Sequence, residues 1–348
     1  MRRLPIYFLI DISESMVGEP IQQVEEGLAT IIKALKTDPN AIETVWISII
    51  VFAGQPKTIV PLQEIITFYP PKFPIGSGTS LNKGLGHLMY ELRKNIVTTT
   101  AEKKGDWKPI VFLFTDGVPT DDTKNAIAEW RQNWQKTANM VAISFGEETD
   151  SLLLSELTEN VLHFKNTDTN AYIQFFDWVT DSIKTSSVSV ESNSTGFELA
   201  KLDGETISKI DLSKVNSKIV DNNFVVLAAK CQNTKRSYLI KYKKDLAKNN
   251  IGSFDLNTLS YKLVGAFQVD NSYYELSDSN NVDFKINTEE LIGAPTCPCC
   301  GNQFAFAVCG CGKLHCIGDE KISTCPWCSN QGTYGAGEGG FDVNRTQG

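Results

Sequence analysis

The sequence predicts an α/β fold: a doubly wound, mostly parallel sheet, followed by a small β-rich domain and a compact cysteine-rich module. Three observations lead there. Over the first 185 residues, runs rich in Val, Ile and Phe alternate with segments of helical period, and continuous apolar strands of this kind belong to sheets covered on both faces. From about residue 186 the texture turns polar and then gives way to short β patterns punctuated by turn residues. Eight of the nine cysteines fall between Cys297 and Cys328.

Each element follows from its pattern. "PIYFLIDI" is an uninterrupted apolar strand, and "EPIQQVEEGLATIIKALKT" sets Ile21, Val24, Leu28, Ile31, Ile32 and Leu35 on one helical face. "ETVWISIIVFAG" is a buried strand, whereas "KTIVPLQEI" alternates and carries a proline, which places it near an edge. "SLNKGLGHLMYELRKNI" returns to helical spacing, and "KPIVFLFTDG" is another buried strand, followed by the helix "DTKNAIAEWRQNWQK". The strands "ANMVAISFG" and "NVLHF" flank a short helix "SLLLSELT", and "TNAYIQFFDWVTDSI" closes the region as a helix. Beyond the linker-like "SSVSVESNSTG", "NNFVVLAAKCQNTKRSYLIKYKK" suggests two strands around a polar turn, and "YKLVGAFQVDNSYYELSD" a second pair. The expected boundaries are 1–185 for the α/β domain, 186–294 for the β-rich region, 295–330 for the cysteine module and 331–348 for a flexible glycine-rich tail.

Composition bounds the function. The chain has 348 residues, 41% of them apolar and 10% aromatic, with a net charge of −8. That charge speaks against general binding to nucleic acid or acidic membranes. The basic stretch "NTKRSYLIKYKK" (233–244) reads as a solvated hairpin. "MRRLPIYFLID" is broken by Pro5 and runs straight into Asp11, unlike a signal peptide, and no stretch approaches the ~18 apolar residues of a membrane span. A cytoplasmic protein is expected.

Three polar clusters occupy strand C-termini or the loops nearby, where ligands bind in doubly wound sheets. These are Asp11, Ser13 and Ser15 in D-x-S-x-S, Thr79 in the glycine-rich "GSGTSLNKG", and Asp116 after "FLFT". Two carboxylates and three hydroxyls are hard oxygen donors, suited to Mg²⁺, Mn²⁺ or Ca²⁺ rather than zinc. Taken singly, each cluster could be a helix cap or turn. An aspartyl-nucleophile phosphatase would need a second acid where Ser13 stands. The three histidines include His87 and His163, which are read as core or surface residues, so no nucleophile–base pair is expected and the domain is taken as non-catalytic.

The order D-x-S-x-S, then Thr79, then Asp116–Gly117 resembles the metal-ion-dependent adhesion site of von Willebrand factor A domains, over roughly residues 4–185. The resemblance implies direct metal contacts from Ser13 and Ser15, contact from Thr79 directly or through water, and water-mediated roles for Asp11 and Asp116. A partner's Glu or Asp would complete the coordination.

"CPCCG" and "CPWC" are two C-x-x-C turns separated by 24 residues, 301–324. Each can aim two thiolates at a tetrahedral Zn²⁺. In a zinc-ribbon-like module, Cys297, Cys300, Cys325 and Cys328 share one ion. Cys309, Cys311, His315 and Cys316, between the turns, then form a possible second site, so one or two zinc ions are expected. A cross-braced, RING-like pairing of each turn with part of the inner set is the competing arrangement. Cys299 is spare, and Cys231 is read as a small core residue. Redox catalysis by "CPWC" would want a thioredoxin-like β/α context that this region lacks.

An A domain followed by "CPCCG…CGCGKLHC…CPWC" resembles the TerY-like family of bacterial tellurium-resistance and stress-response proteins. That resemblance implies a cytoplasmic adaptor in a phospho-signalling system with a PP2C-type phosphatase and a protein kinase. The rival is a RING-like ubiquitin-type ligase with the A domain as substrate receptor. Direct nucleic-acid binding is disfavoured, since 295–328 carries only Lys313 and Lys321 as basic side chains.

Overall fold

The computed structural model of the protein describes residues 2–102, 104–116, 118–145, 151–164, 169–191, 200, 207–209, 223–251, 254–278, 284–320, 322–335 and 339–346. The first sheet contains β1 (Leu4–Asp11), β2 (Val45–Phe52), β3 (Pro56–Glu64), β4 (Ile110–Thr115), β5 (Asn139–Phe145), β6 (Val161–Phe164) and β7 (Ile207–Lys209), in the order β3-β2-β1-β4-β5-β6-β7. Its five central strands are parallel, and the edge strands β3 and β7 pair antiparallel. The expected edge position of "KTIVPLQEI" is thus observed. β1 is flanked by β2 and β4, so its C-terminal end lies where the strand order reverses, the place where α/β sheets bind ligands.

Helices cover both faces. On one side α1 (Glu19–Leu35) buries Ile21, Val24, Leu28, Ile31, Ile32 and Leu35, the six positions its period selects, in one cluster with Phe176, Val179 and Ile183 of α6 (Thr169–Glu191). Pro20 opens α1 within its first turn, where a missing N–H costs nothing. A short helix, α2 (Pro39–Thr44), absent from the sequence reading, is capped by Asp38, whose carboxylate accepts from the Ala41 N–H. On the other face, α3 (Leu81–Asn95), α4 (Lys124–Asn133) and α5 (Ser151–Leu157) pack Leu85, Leu88, Ile127, Trp130 and Leu154 against Tyr7, Leu9 and Val111.

The C-terminal part departs from the expected division. It comprises β8 (Phe224–Lys230), β9 (Ser237–Ile251), β10 (Phe254–Gln268), α7 (Ser272–Leu276), β11 (Phe284–Asn287), β12 (Leu291–Ile292), β13 (Phe304–Val308), β14 (Leu314–Ile317), β15 (Ser323–Thr324), β16 (Gln331–Gly332) and β17 (Asp342–Arg345). One sheet, ordered β12-β10-β9-β8-β14-β13, joins the β-rich region to the cysteine module. The boundary expected at 294/295 therefore does not exist: β14 pairs in parallel with β8, Leu314 opposite Ala229.

Three further expectations are corrected. Residues 186–191, read as linker, continue α6, and 192–199 lie outside the described residues. "YKLVGAFQVDNSYYELSD" is one strand followed by α7 rather than a strand pair. The tail is not uniformly flexible: β17 pairs antiparallel with β11, Val343 is buried, and the Thr346 N–H donates to Val226 O at 2.9 Å.

The two parts share a core. Val226, Leu239, Val269, Tyr273 and Leu276 belong to the same buried cluster as Ile12, Met16 and Val17. The Gln55 N–H donates to Leu276 O at 2.9 Å and the Asp278 N–H to Ser77 O at 3.1 Å. The approach is so close that a Cβ on Gly54 would lie 1.9 Å from the Asp278 nitrogen. Only glycine fits there.

Candidate metal sites

The first site grows from the end of β1. Seven apolar residues are followed by Asp11, which is fully buried. Its Oδ1 accepts from the Ser13 N–H at 2.9 Å, an Asx turn that bends the chain off the sheet. Its Oδ2 accepts from Thr115 Oγ1, at the end of β4, at 2.8 Å. A single 3-10 turn, Glu14–Met16, then brings Ser15 back, so that the Ser13 and Ser15 hydroxyls lie 2.9 Å apart and Ser15 Oγ donates to Asp116 Oδ1 at 2.9 Å.

Thr79 arrives on the loop before α3. Its N–H donates to Thr120 Oγ1 at 3.0 Å, and its carbonyl accepts from the Thr120 N–H at 2.9 Å, which ties this loop to the one after Asp116. Asp121 reinforces the tie by accepting from the Asn82 and Lys83 N–H groups at the start of α3. The structure thus gathers Asp11, Ser13, Ser15 and Asp116 into one hydrogen-bonded set and fixes Thr79 to the loop beside it. His87, outside this set, bonds Thr58 Oγ1 at 2.8 Å, and the His163 side chain lies outside the described residues.

Burial pushes the Asp11 carboxyl up to about 6, against the hydrogen bonds from Ser13 and Thr115 that favour its charge. Oxygen donors alone line the set, a chemistry that suits a hard divalent ion. These residues fit the group that the D-x-S-x-S pattern implies.

The cysteines form two further sets, and neither is the predicted one. Cys231, Cys297, Cys300 and Cys316 bring four Sγ atoms within 4.8 Å of one another, and so do Cys309, Cys311, Cys325 and Cys328. Sulfurs are 3.8 Å apart in Cys300–Cys316, 3.9 Å in Cys316–Cys231, 3.6 Å in Cys309–Cys328 and 3.9 Å in Cys311–Cys325. Four ligands at ~2.3 Å around a tetrahedral Zn²⁺ lie about 3.8 Å apart. The two C-x-x-C turns therefore belong to different sets, as in the cross-braced alternative.

His315 belongs to neither. Successive strand residues face opposite ways, so on β14 the Cys316 thiol joins its set while His315 turns away. The His315 Nε2 meets Tyr334 Oη at 2.9 Å, and its Nδ1–H donates to Cys316 O at 2.9 Å.

Cys231, expected as a small core residue, is fully buried in the core and also brings its thiol into the first set, and its turn shows how. The Cys297 N–H bonds Asn302 O and its carbonyl accepts from the Gly301 N–H; Cys325 does the same with Asn330 and Ser329, and Cys231 with Arg236 and Lys235. The fifth residue of each turn has positive φ: Gly301 at 77°, Ser329 at 63° and Lys235 at 60°. "CQNTKR" is thus a cysteine knuckle with Thr234 where the second cysteine would stand. N–H donors support the sulfurs: Thr234 N–H to Cys231 Sγ at 3.3 Å, Gln232 N–H to Cys316 Sγ at 3.2 Å, and Trp327 N–H to Cys325 Sγ at 3.4 Å. Burial pushes the Cys316 thiol up to about 11 despite the Gln232 bond, so a bound cation is what would hold it as thiolate. Cys299, expected to be spare, lies outside both sets.

The von Willebrand factor type A domain family matches residues 6–178, and the TerY-C metal binding domain family matches residues 221–348. Among solved structures the chain is similar to proximal thread matrix protein 1 from the mussel byssus with a zinc occupied MIDAS motif, at 18% identity over 53% of this chain and 46% of that one, TM-score 0.37. It is also similar to the pilus adhesin SpaC from Lactobacillus rhamnosus GG, at 13% identity over 53% of this chain and 31% of that one, TM-score 0.43. A von Willebrand factor type A protein from Catenulispora acidiphila shares 11% identity over 81% of this chain and 70% of that one, TM-score 0.39. The chain spans less than half the length of the first two. No curated protein matches it in sequence. Among the described residues no helix is long and apolar enough to cross a membrane.

Proposed function

We propose that this chain, a von Willebrand factor type A protein with a C-terminal TerY-C metal binding domain, is a non-catalytic adaptor that binds a partner's acidic side chain through Mg²⁺. The observation that carries the reading is the set of buried Asp11, Ser13 and Ser15 with half-buried Asp116, bonded to one another at 2.8–2.9 Å with their neighbours from two strand ends. Ser13, Ser15 and Thr79 would hold the ion through hydroxyl oxygens, with Asp11 and Asp116 placed to accept from its waters. When bound, the cation supplies a desolvated positive charge to which a partner's carboxylate can attach. Asp11 balances that charge, Thr115 and the Ser13 N–H orient Asp11, and Asp116 orients Ser15.

The cysteine sets are proposed to hold one structural Zn²⁺ each, their closed four-thiolate composition leaving no open position for chemistry. The TerY-like resemblance suggests which partners to try first, a PP2C-type phosphatase and a protein kinase in a bacterial stress-response or defence setting. The test is capture of such a partner by the full chain with Mg²⁺, after dialysis into Mg²⁺-free buffer, and after Mg²⁺ is restored. Capture that follows Mg²⁺ supports the reading; capture indifferent to Mg²⁺ overturns it.

A proton on Asp11 competes with the ion. Mn²⁺ affinity is expected to fall as pH drops through about 6, the value to which burial raises this carboxyl, and calorimetric titrations on either side of that pH check it. A second reading, a RING-like ligase, is favoured by the interleaved order of the two cysteine sets along the chain. A transfer assay with a ubiquitin-type conjugating enzyme would decide for or against it.

A further inference from the structure

The stretch 233–244, read from sequence as a solvated basic hairpin, includes a lysine that is buried. Lys241, on β9, is 2% exposed. Its Nζ donates to Ser15 O at 2.5 Å and to Val17 O at 3.1 Å, and lies 4.4 Å from the centre of the Phe224 ring. Burying an ammonium is costly unless its donors are met, and two of the acceptors that meet them are backbone carbonyls at the end of the D-x-S-x-S stretch and just after the 3-10 turn Glu14–Met16. The Ser15–Met16 and Val17–Gly18 peptides are thereby oriented from the C-terminal domain.

A second group of contacts lies at Glu14, between the two serines. Glu14 is fully buried. Its Oε1 accepts from Tyr273 Oη of α7, and its Oε2 accepts from Ser77 Oγ at 3.1 Å. Ser77 sits two residues before Thr79, and its N–H donates to Ser277 Oγ at 2.9 Å. Lys83, at the start of α3, donates to Gly54 O at 2.8 Å and pairs with Asp278 at 3.7 Å. The hydroxyls of Ser13 and Ser15 meet on one side of the turn. The residue between them bonds the Thr79 loop and the C-terminal domain together.

We propose that Lys241 and Tyr273 are positioning residues for the divalent-cation site, so that the C-terminal domain sets the cation affinity of the A domain. The proposal rests on the cation reading given under Proposed function. The physical reason is preorganisation: hydroxyl ligands on a short turn bind an ion well only if the turn is already held in place. Here the fixing groups come from another domain more than two hundred residues along the chain. Groups of this kind, which orient metal ligands without touching the metal, typically change affinity about 10- to 100-fold when removed.

The experiment is Mn²⁺ titration of the zinc-loaded full chain as wild type, Asp11→Ala, Tyr273→Phe and Lys241→Met, with zinc content and melting temperature measured for each. Tyr273→Phe removes one hydroxyl and keeps the ring in its buried cluster, so it carries the test if Lys241→Met fails to fold. The expected result is Asp11-dependent binding by the wild type, weakened about tenfold or more in Tyr273→Phe, with zinc content unchanged. Tyr273→Phe affinity within about twofold of wild type, whatever its melting temperature, would show a merely structural latch and overturn the proposal. No Asp11-dependent binding by the wild type would overturn the cation reading itself, and this proposal with it.

Discussion

One zinc ion per chain in place of two is the expected result for Cys231→Ser, measured by elemental analysis of the purified full-length protein. The substitution takes one thiolate from the set that also contains Cys297, Cys300 and Cys316, and serine is a poor replacement for a soft ligand. Ligand sets of this kind contribute folding energy directly. The loss is therefore also expected to loosen the β8–β14 pairing, whose contact Leu314–Ala229 lies two residues from Cys231 and two from Cys316. Where zinc is supplied in excess and that set is refilled, its transfer to a colorimetric chelator should accelerate at least about tenfold. Cys299→Ser, in the neighbouring knuckle but outside both sets, should retain two ions. Two ions in Cys231→Ser with wild-type resistance to chelator would reject the assignment.

The second large effect is expected of Asp11→Ala: loss of Mn²⁺ binding together with loss of any stabilisation by Mg²⁺. The raised carboxyl sets the pH dependence of the cation-free fold. In the fold it holds its proton up to about 6, against 3.8 in its ordinary state, so the folded state binds more protons than the unfolded chain between these values. The cation-free fold therefore loses stability as pH rises through that window, and above about 6 the ionised, desolvated Asp11 costs about 3 kcal/mol. Alanine removes that cost but takes the Asp11 acceptor from the buried Ser13 N–H and Thr115 hydroxyl, at about 1–3 kcal/mol each, so the two effects oppose each other at similar size. The wild type should regain stability on adding Mg²⁺, about 2.7 kcal/mol at one hundred times the dissociation constant, and the variant should not. Thermal melts with and without Mg²⁺ measure both. A variant that Mg²⁺ still stabilises would place the ion elsewhere.

The A-domain elements were legible in sequence because each signal is local. The apolar run of β1, the helical face of α1 and the proline of β3 all act within a few residues. The D-x-S-x-S turn was equally legible, since its Asx bend spans two residues. The groups that hold it were not. Lys241 lies in a stretch whose charge reads as solvated, and nothing near it in sequence shows that two carbonyls of a distant turn will cover it. Cys231 was missed for a related reason: its knuckle has one cysteine, and spacing rules look for two. Its positive-φ position holds Lys235, where a glycine would have drawn notice. His315 was taken for a ligand by residue type alone, whereas strand alternation next to Cys316 turns it toward Tyr334.

The span of the two cysteine sets bears on the order in which the C-terminal domain assembles. One set closes chain segments of at most 19 residues, whereas the other must bring together residues 85 apart. Closing the longer loop costs about 1 kcal/mol more in chain entropy. The compact set is therefore the natural nucleus. The second, long-range closure then ties β8, the neighbour of the strand that carries Lys241, to β14.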